Sequence, residues 1–266
     1  MSKVLGFIGC GNMCQAMMGG IVNAKLFSPE NIIVADLSEE KLKEASEKYG
    51  VKTTTDNNEI AKNADILILS IKPNLYSIVI EGIKDIVKED AIVVTIAAGK
   101  DMIGTEKMFS KKVKVVRVMP NTPALVGEGM SGICANESVT KEELHQVINI
   151  FESFGKAEIV SEKMMDVVTA VSGSAPAYIY MFIEAMADAA VLDGMPREKA
   201  YKFAAQTVLG SAKMVIDTGM HPGALKDMVC SPGGTTIEAV AVLEKEGLRN
   251  TVISAMRECR KKANQL

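Results

Sequence analysis

Through the first half of the chain, apolar positions fall into short continuous runs separated by amphipathic stretches. Val4, Leu5, Phe7 and Ile8 form the first run, Ile32 to Ala35 the second and Ile66 to Leu69 the third; Ala91 to Ile96 and Val113 to Met119 follow. Short apolar runs bounded by turn residues predict strands buried on both faces, as in a parallel sheet. Val51 to Thr55 reads as a further short strand and Gly132 to Ala135 as a later one. Between them, Ser38-Glu39-Glu40-Lys41 opens a helix that carries Leu42 and Ala45 inward and ends at Gly50. Asn57-Asn58-Glu59 leads a short helix toward Asp65, Ile83 to Val87 belongs to another, and Lys141 to Phe154 forms one with Leu144, Val147, Ile148 and Phe151 on one face. Lys72-Pro73 and Pro120-Asn121-Thr122-Pro123 stop two of the strands, because proline cannot continue a central ladder. Strand and helix alternating over about 150 residues predicts an α/β fold, a doubly wound and mainly parallel sheet.

From about Ser161 helical spacing replaces the strand runs. Residues 161–266 are therefore expected to form a separate all-α domain after an N-terminal domain of residues 1–160. Met164 to Val171 and Tyr178 to Leu192 carry only Asp166, Glu184 and Asp188 as charges. Helices apolar on nearly every face must be buried, and a domain of about 100 residues cannot bury several by itself. The pattern predicts a homodimer in which a partner covers these helices, with Met181 and Met186 as interface packing.

Composition narrows the partners. The 266 residues have ample material for two domains, and a net charge of −3 with interspersed signs supplies no basic face for nucleic acid and no polybasic patch for a membrane surface. Small molecules are the expected ligands. The five cysteines, Cys10, Cys14, Cys134, Cys230 and Cys259, include no C-x-x-C pair and no metal-ligand spacing. An odd, irregular set argues against a disulfide framework and fits a reducing cytoplasm. Polar residues interrupt the N-terminal apolar stretch, so it is not expected to be a secretory signal. No uncharged run reaches roughly 18 residues without punctuation, so no transmembrane span is expected and the protein is expected to be soluble.

Two stretches carry candidate chemistry. The first run breaks at Gly9-Cys10-Gly11, followed by Asn12 and Met13 at the start of a helix. Gly9 permits a tight turn, Gly11 leaves no side chain between the backbone and a pyrophosphate, and the helix N-terminus offers free N–H groups to the anion. The third small position is Cys14 where Gly or Ala is usual, and it remains compact enough for close helix–strand packing. Asp36 ends the second run, where a ribose-binding carboxylate belongs. The competing reading is an ordinary strand–helix turn with Asp36 capping the next helix. In the C-terminal half, Ser231-Pro232-Gly233-Gly234-Thr235-Thr236-Ile237-Glu238 predicts the start of a final helix, with Thr235 and Glu238 spaced as a capping box. Its amides and hydroxyls suit a carboxylate; the competing reading is a Gly-rich connector.

The chain resembles the pyrroline-5-carboxylate reductase family from end to end. The matching stretches are GFIGCGNM (6–13), IKPN (71–74), AAG (97–99), RVMPNTPA (117–124), SGSAPAY (172–178) and HPGALKDMVCSPGGTT (221–236). The resemblance implies a Rossmann domain followed by an all-helical dimerisation domain interlocked with that of a second subunit, with a higher oligomer left open. It places Gly9, Cys10, Gly11, Asn12 and Met13 around the pyrophosphate and Asn57 at the adenosine ribose. It places Ile71, Lys72, Pro73 and Ala98 on the nicotinamide side, with Met228 able to approach the ring. It assigns Ser231, Gly234, Thr235, Thr236 and Glu162 to the substrate. Ala175 stands where the family has glycine, and Cys14 where it has alanine or glycine; neither change removes a functional group.

The implied reaction is hydride transfer from NAD(P)H to the C=N carbon of 1-pyrroline-5-carboxylate, giving L-proline, the last step of proline biosynthesis. Thr236 is the catalytic candidate, hydrogen-bonding the imine nitrogen directly or through water. Asp36 should accept a 2′-hydroxyl and repel a 2′-phosphate, which favours NADH, although many relatives use NADPH. Lys72 is the second candidate for a catalytic part; His145 is expected to be inert and His221 to shape a turn. Two alternatives stay open, a hydroxyacid dehydrogenase using Lys163 and a dinucleotide-sensing dimer without turnover.

Overall fold

A computed structural model describes residues 3–265 of the chain. Its elements run β1 (Leu5–Ile8), α1 (Asn12–Asn23), β2 (Ile32–Ala35), α2 (Glu39–Tyr49), β3 (Lys52–Thr54), α3 (Asn57–Asn63) and β4 (Ile66–Leu69). Then follow α4 (Tyr76–Ile83), β5 (Ile92–Thr95), α5 (Met102–Phe109), β6 (Lys114–Met119), β7 (Gly129–Ala135), α6 (Lys141–Glu152), β8 (Gly155–Ile159) and the short α7 (Met165–Val168). The last five are α8 (Ala175–Leu192), α9 (Arg197–Thr218), α10 (Pro222–Val229), α11 (Thr235–Lys245) and α12 (Leu248–Ala263).

All eight strands form one sheet in the order β3-β2-β1-β4-β5-β6-β7-β8, and every pairing is parallel except β6 with β7. The doubly wound expectation holds. The order reverses between β1 and β4, which opens a crevice beyond their carboxyl ends. Side chains alternate between two cores. Leu5, Phe7, Val34 and Ile68 pack with Met17, Ile21, Phe151 and Phe154 on one face, while Ile8, Leu67, Leu69 and Val93 pack with Tyr76, Ile80 and Phe109 on the other. Coverage on both faces is why these strands read as unbroken apolar runs. The buried Tyr76 hydroxyl donates to the Leu69 carbonyl at 2.9 Å and pairs with Thr95 Oγ1 at 2.8 Å. Burial pushes its pKa up to about 12.

Several local expectations are corrected. The helix expected at Ile83 to Val87 ends at Ile83 and begins at Tyr76, because Pro73-Asn74-Leu75 starts the turn and Tyr76, Ile80 and Ile83 form its buried side. The capping box at Thr235 and Glu238 does not form. Gly234 occupies the N-cap, so Thr235 already lies inside the helix and no side chain caps it. Nor is that helix the last: Gly247, at φ +76°, breaks the chain between α11 and α12. The box that does form joins Thr140 and Glu143 at the start of α6.

The chain divides into two compact units, one running up to Ser174 and resuming at Cys259, the other spanning Ala175–Glu258. This division falls after the 160/161 boundary expected from the loss of strand runs, because the short turn Glu162–Met164 and α7, which follow β8, stay with the sheet. In the helical unit the fully buried apolar residues are Ala187, Ala200 and Ala204, at the contact of α8 with α9. Tyr180, Met181, Phe203, Ile216 and Val242 are all exposed. One helical run, residues 162–192, is long and apolar enough by length and composition to cross a membrane, which the sequence reading did not anticipate. A π-turn over Thr169–Gly173 carries the helical path through this run, with Ser174 N–H reaching the Thr169 carbonyl at 2.8 Å.

Candidate active site

At the crevice, Gly9 adopts φ +98° and donates its N–H to the Ala35 carbonyl at 2.7 Å. A Cβ there would stand 2.5 Å from the Ser70 carbonyl oxygen, so the position excludes every side chain. Gly11 is the N-cap of α1, and a Cβ on it would meet nothing within 4 Å. The requirement at Gly11 is thus set by the open side of the loop, where a ligand would approach. The first turn of α1, beginning at Asn12 and Met13, has no side-chain cap and no acidic residue, leaving its amides available to an anion. Cys14 is fully buried in the core beneath, as its compact size predicts. Its hydrogen bond to Cys10 holds the Cys10 thiol below its ordinary value, while burial pushes the Cys14 thiol well up.

Asp36 takes part in this loop directly. Its Oδ2 accepts the Cys10 N–H at 2.7 Å and its Oδ1 accepts the Ser38 N–H at 2.9 Å. It therefore pins the glycine turn to the end of β2, and it does not cap α2, where Ser38 itself is the N-cap. A cavity of about 490 Å³ beside it brings Gly9, Asp36, Asn57 and Ile71 together with Leu37 and Thr55. Lys72 and Pro73 begin the turn before α4, with Lys72 exposed and outside the cavity lining. These features fit a dinucleotide: a bare turn, an uncapped helix start, a carboxylate at the second strand and an apolar slot beyond it.

Further along the same sheet edge, β5 runs into the turn Ala97-Ala98-Gly99, and Ala98 packs against Met119 and Met165. Glu162, expected in the substrate pocket, has its Oε1 engaged: it accepts the Met102 N–H at 2.7 Å and pairs with Arg117 Nη1 at 3.4 Å. Arg117 is buried on β6, and its Nη2 lies 3.7 Å from Asp166. Nearby, burial and the Glu162 charge raise the Cys134 thiol to about 11, against the pull of Arg117.

In the helical unit, His221 is the N-cap of α10 and its Nδ1 accepts the Gly223 N–H at 3.0 Å, the turn-shaping part expected of it. Met228 is exposed on α10. The chain then turns through Ser231, whose carbonyl accepts the Gly234 N–H at 3.1 Å, and enters α11 at Thr235 and Thr236. Ser231, Gly234, Thr235 and Thr236 thus gather at one helix start with no side-chain cap, a second place where backbone amides face an anion.

Comparison with known proteins agrees with this geometry. Residues 162–266 match the family model described as pyrroline-5-carboxylate reductase dimerisation, and residues 4–99 match one described as NADP oxidoreductase, coenzyme F420-dependent. The pyrroline-5-carboxylate reductase of Escherichia coli is 50% identical over 266 residues, covering 100% of this chain and 99% of that protein. The chain belongs to the pyrroline-5-carboxylate reductase family. Among solved structures of pyrroline-5-carboxylate reductases, that from Coxiella burnetii has a TM-score of 0.92 at 38% identity, covering 100% of this chain and 98% of the other. The Plasmodium falciparum enzyme, solved with NADP bound, has a TM-score of 0.91 at 35% identity, covering 99% and 97%.

Sequence reasoning passed over three residues that shape these reductase-family loops. Ser70 Oγ donates toward the Gly9 carbonyl at 2.6 Å, joining the carboxyl ends of β1 and β4. Buried Asn121 ties three segments together: its Oδ1 accepts the Met130 N–H at 2.8 Å and its Nδ2 donates to the Ser172 carbonyl at 3.1 Å. Arg117 is the third. Arg117 stands between Val116 and Val118 in the apolar stretch Val115 to Met119, and that was the available signal, because a charge in a buried strand needs partners.

Proposed function

We infer that this chain is an NAD(P)H-dependent pyrroline-5-carboxylate reductase that reduces the C=N bond of 1-pyrroline-5-carboxylate to give L-proline. Full-length identity of 50% to an enzyme of that name carries the inference, and the open glycine turn and the uncapped start of α11 support it chemically. Reduced nicotinamide supplies the hydride. The chain's own residues hold and orient. Gly9, Cys10, Gly11, Asn12 and Met13 receive the pyrophosphate; Asn57 lies at the ribose; Ile71, Lys72, Pro73 and Ala98 flank the nicotinamide. The Thr235 and Thr236 amides hold the substrate carboxylate beside Ser231 and Gly234, each charge-assisted bond contributing about 1.5–3 kcal/mol. Thr236 hydroxyl then meets the imine nitrogen, so that orientation and one well-placed proton supply much of the rate.

NADH is the preferred donor in this reading, because the Asp36 charge opposes a 2′-phosphate. The NADP-bound relative sets the competing expectation. The exposed apolar faces of α8 and α9 support a homodimer with interlocked helical units, and the odd, irregularly spaced cysteines fit action in a reducing cytoplasm. Initial rates of nicotinamide oxidation with pyrroline-5-carboxylate, run with NADH and NADPH at matched concentrations, test both parts. Turnover is expected with each and faster with NADH; cofactor binding without turnover would favour a sensing dimer.

A further inference from the structure

We propose that Arg117 is a positioning residue for the reduction: acting through Glu162, it fixes the Ala97-Ala98-Gly99 turn. The proposal rests on reading that turn as the nicotinamide side of the site. Arg117 lies inside the sheet, register-paired with Thr95 on β5 and Cys134 on β7, and is only 5% exposed. A guanidinium does not shed its charge, so at this depth it must be paired. Its partners are Glu162 at 3.4 Å and Asp166 at 3.7 Å, while its Nε is buried without a hydrogen-bond partner among the described residues. Both ion pairs are long, and one donor is left over. An arrangement that only stabilised the sheet would do as well or better with an apolar side chain.

The short contact in the cluster is the one Glu162 makes to the Met102 N–H, at 2.7 Å across 60 residues of sequence. Met102 is the first residue of α5, where the amide has no partner within the helix. Asp101 already caps the same helix locally, its side chain accepting the Gly104 N–H at 2.5 Å. The start of α5 is therefore held twice, once from its own loop and once from the segment that follows β8. The turn that precedes it has Gly99 at φ +73° and a long Lys100 N–H to Ala97 carbonyl bond of 3.5 Å, so little of its own holds it. Glu162 supplies the constraint, and Arg117 with Asp166 decides where Glu162 stands.

Three variants test this: Arg117→Met, Glu162→Ala and the double variant. The first readout is hydrogen exchange of residues 98–104 in the cofactor-free protein, and the second is the emission of bound NADH, which senses the surroundings of the nicotinamide. The third is kcat and KM for each substrate. In Arg117→Met, exchange at the Met102 amide should rise about tenfold or more and the emission should shift. The turnover number should fall about 10- to 100-fold with much smaller changes in KM, as misplacement of a bound reactant does. The double variant should be no slower than Glu162→Ala, because Arg117 acts only through that carboxylate. Losses that multiply, or exchange and emission that match the wild type in folded Arg117→Met, would overturn the proposal. If Arg117→Met does not fold, Arg117→Lys replaces it, since one ammonium cannot hold both acids; wild-type exchange and kcat there would overturn the proposal equally. Should the wild type fail to reduce pyrroline-5-carboxylate, the functional reading fails, while exchange and emission still decide the positioning.

Discussion

Asp36 performs two tasks that one substitution can separate. Its two oxygens accept the Cys10 and Ser38 amides at 2.7 and 2.9 Å, and its charge faces the cavity that also holds Asn57. Asp36→Ser removes the charge and leaves at least one of those amides without its acceptor. Bonds to a charged acceptor contribute about 1.5–3 kcal/mol each; for a half-buried pair, a total loss of about 2–3 kcal/mol is reasonable. Spread over a unit of this size, that should lower the first melting transition by roughly 5–10 °C. Removing one negative charge from beside a 2′-phosphate at an effective dielectric of about 20 is worth about 1–3 kcal/mol, a change of roughly 5- to 150-fold in the NADPH-to-NADH ratio of kcat/KM. Asp36→Asn keeps one acceptor, so it should shift the ratio similarly with about half the melting loss. The assay is kcat/KM for both nucleotides, with a thermal melt on each variant. A melt that falls as expected while the ratio stays within twofold of wild type would refute the electrostatic part and leave Asp36 as a loop pin alone.

Gly9→Ala places a Cβ 2.5 Å from the Ser70 carbonyl and 2.9 Å from Ile71 Cγ2 at φ +98°, so it should weaken NADH binding at least about tenfold by the strain of that backbone region; titration of the folded variant with unchanged affinity would count against the cradle. Thr236→Ala should lower kcat about 100-fold or more if its hydroxyl serves the imine nitrogen, and full activity with unaltered KM would remove it from the mechanism. For acid stability, burial raises the Asp65 carboxyl, but the Lys88 ammonium and the Val4 N–H outweigh it and hold the group below its ordinary value. A lowered folded value means stability present above the unfolded carboxylate range and lost as pH falls through the folded one. Asp65→Asn should therefore flatten the decline in unfolding free energy below about pH 4, and an unchanged slope by denaturant titration would show the pair to be inert.

The same distinction between local and distant contacts explains what could be read from the chain alone. Strand runs, Gly9 and Gly11, and the entry to α11 at Thr235 were legible because each depends on residues within a few positions: apolar burial, a backbone dihedral, a helix start. Even the misplaced capping box was a local error of one position, since Gly234 took the cap that Thr235 was expected to fill. What sequence reasoning passed over is of another kind. Asp36 was read as a ribose ligand, yet it also reaches back across 26 residues to Cys10; Asn121 reaches 51 residues to Ser172, and Glu162 reaches 60 to Met102. Each bond joins a loop at the carboxyl edge of the sheet to a residue that no periodicity brings near. Such loops have few apolar contacts of their own, so their order has to come from elsewhere in the chain. A buried polar side chain whose partners lie outside its own element is accordingly the signal to look for in this fold. By that criterion Arg117, the single charge inside the apolar part of β6 and paired with Glu162 and Asp166 beyond its own strand, is the residue to test first.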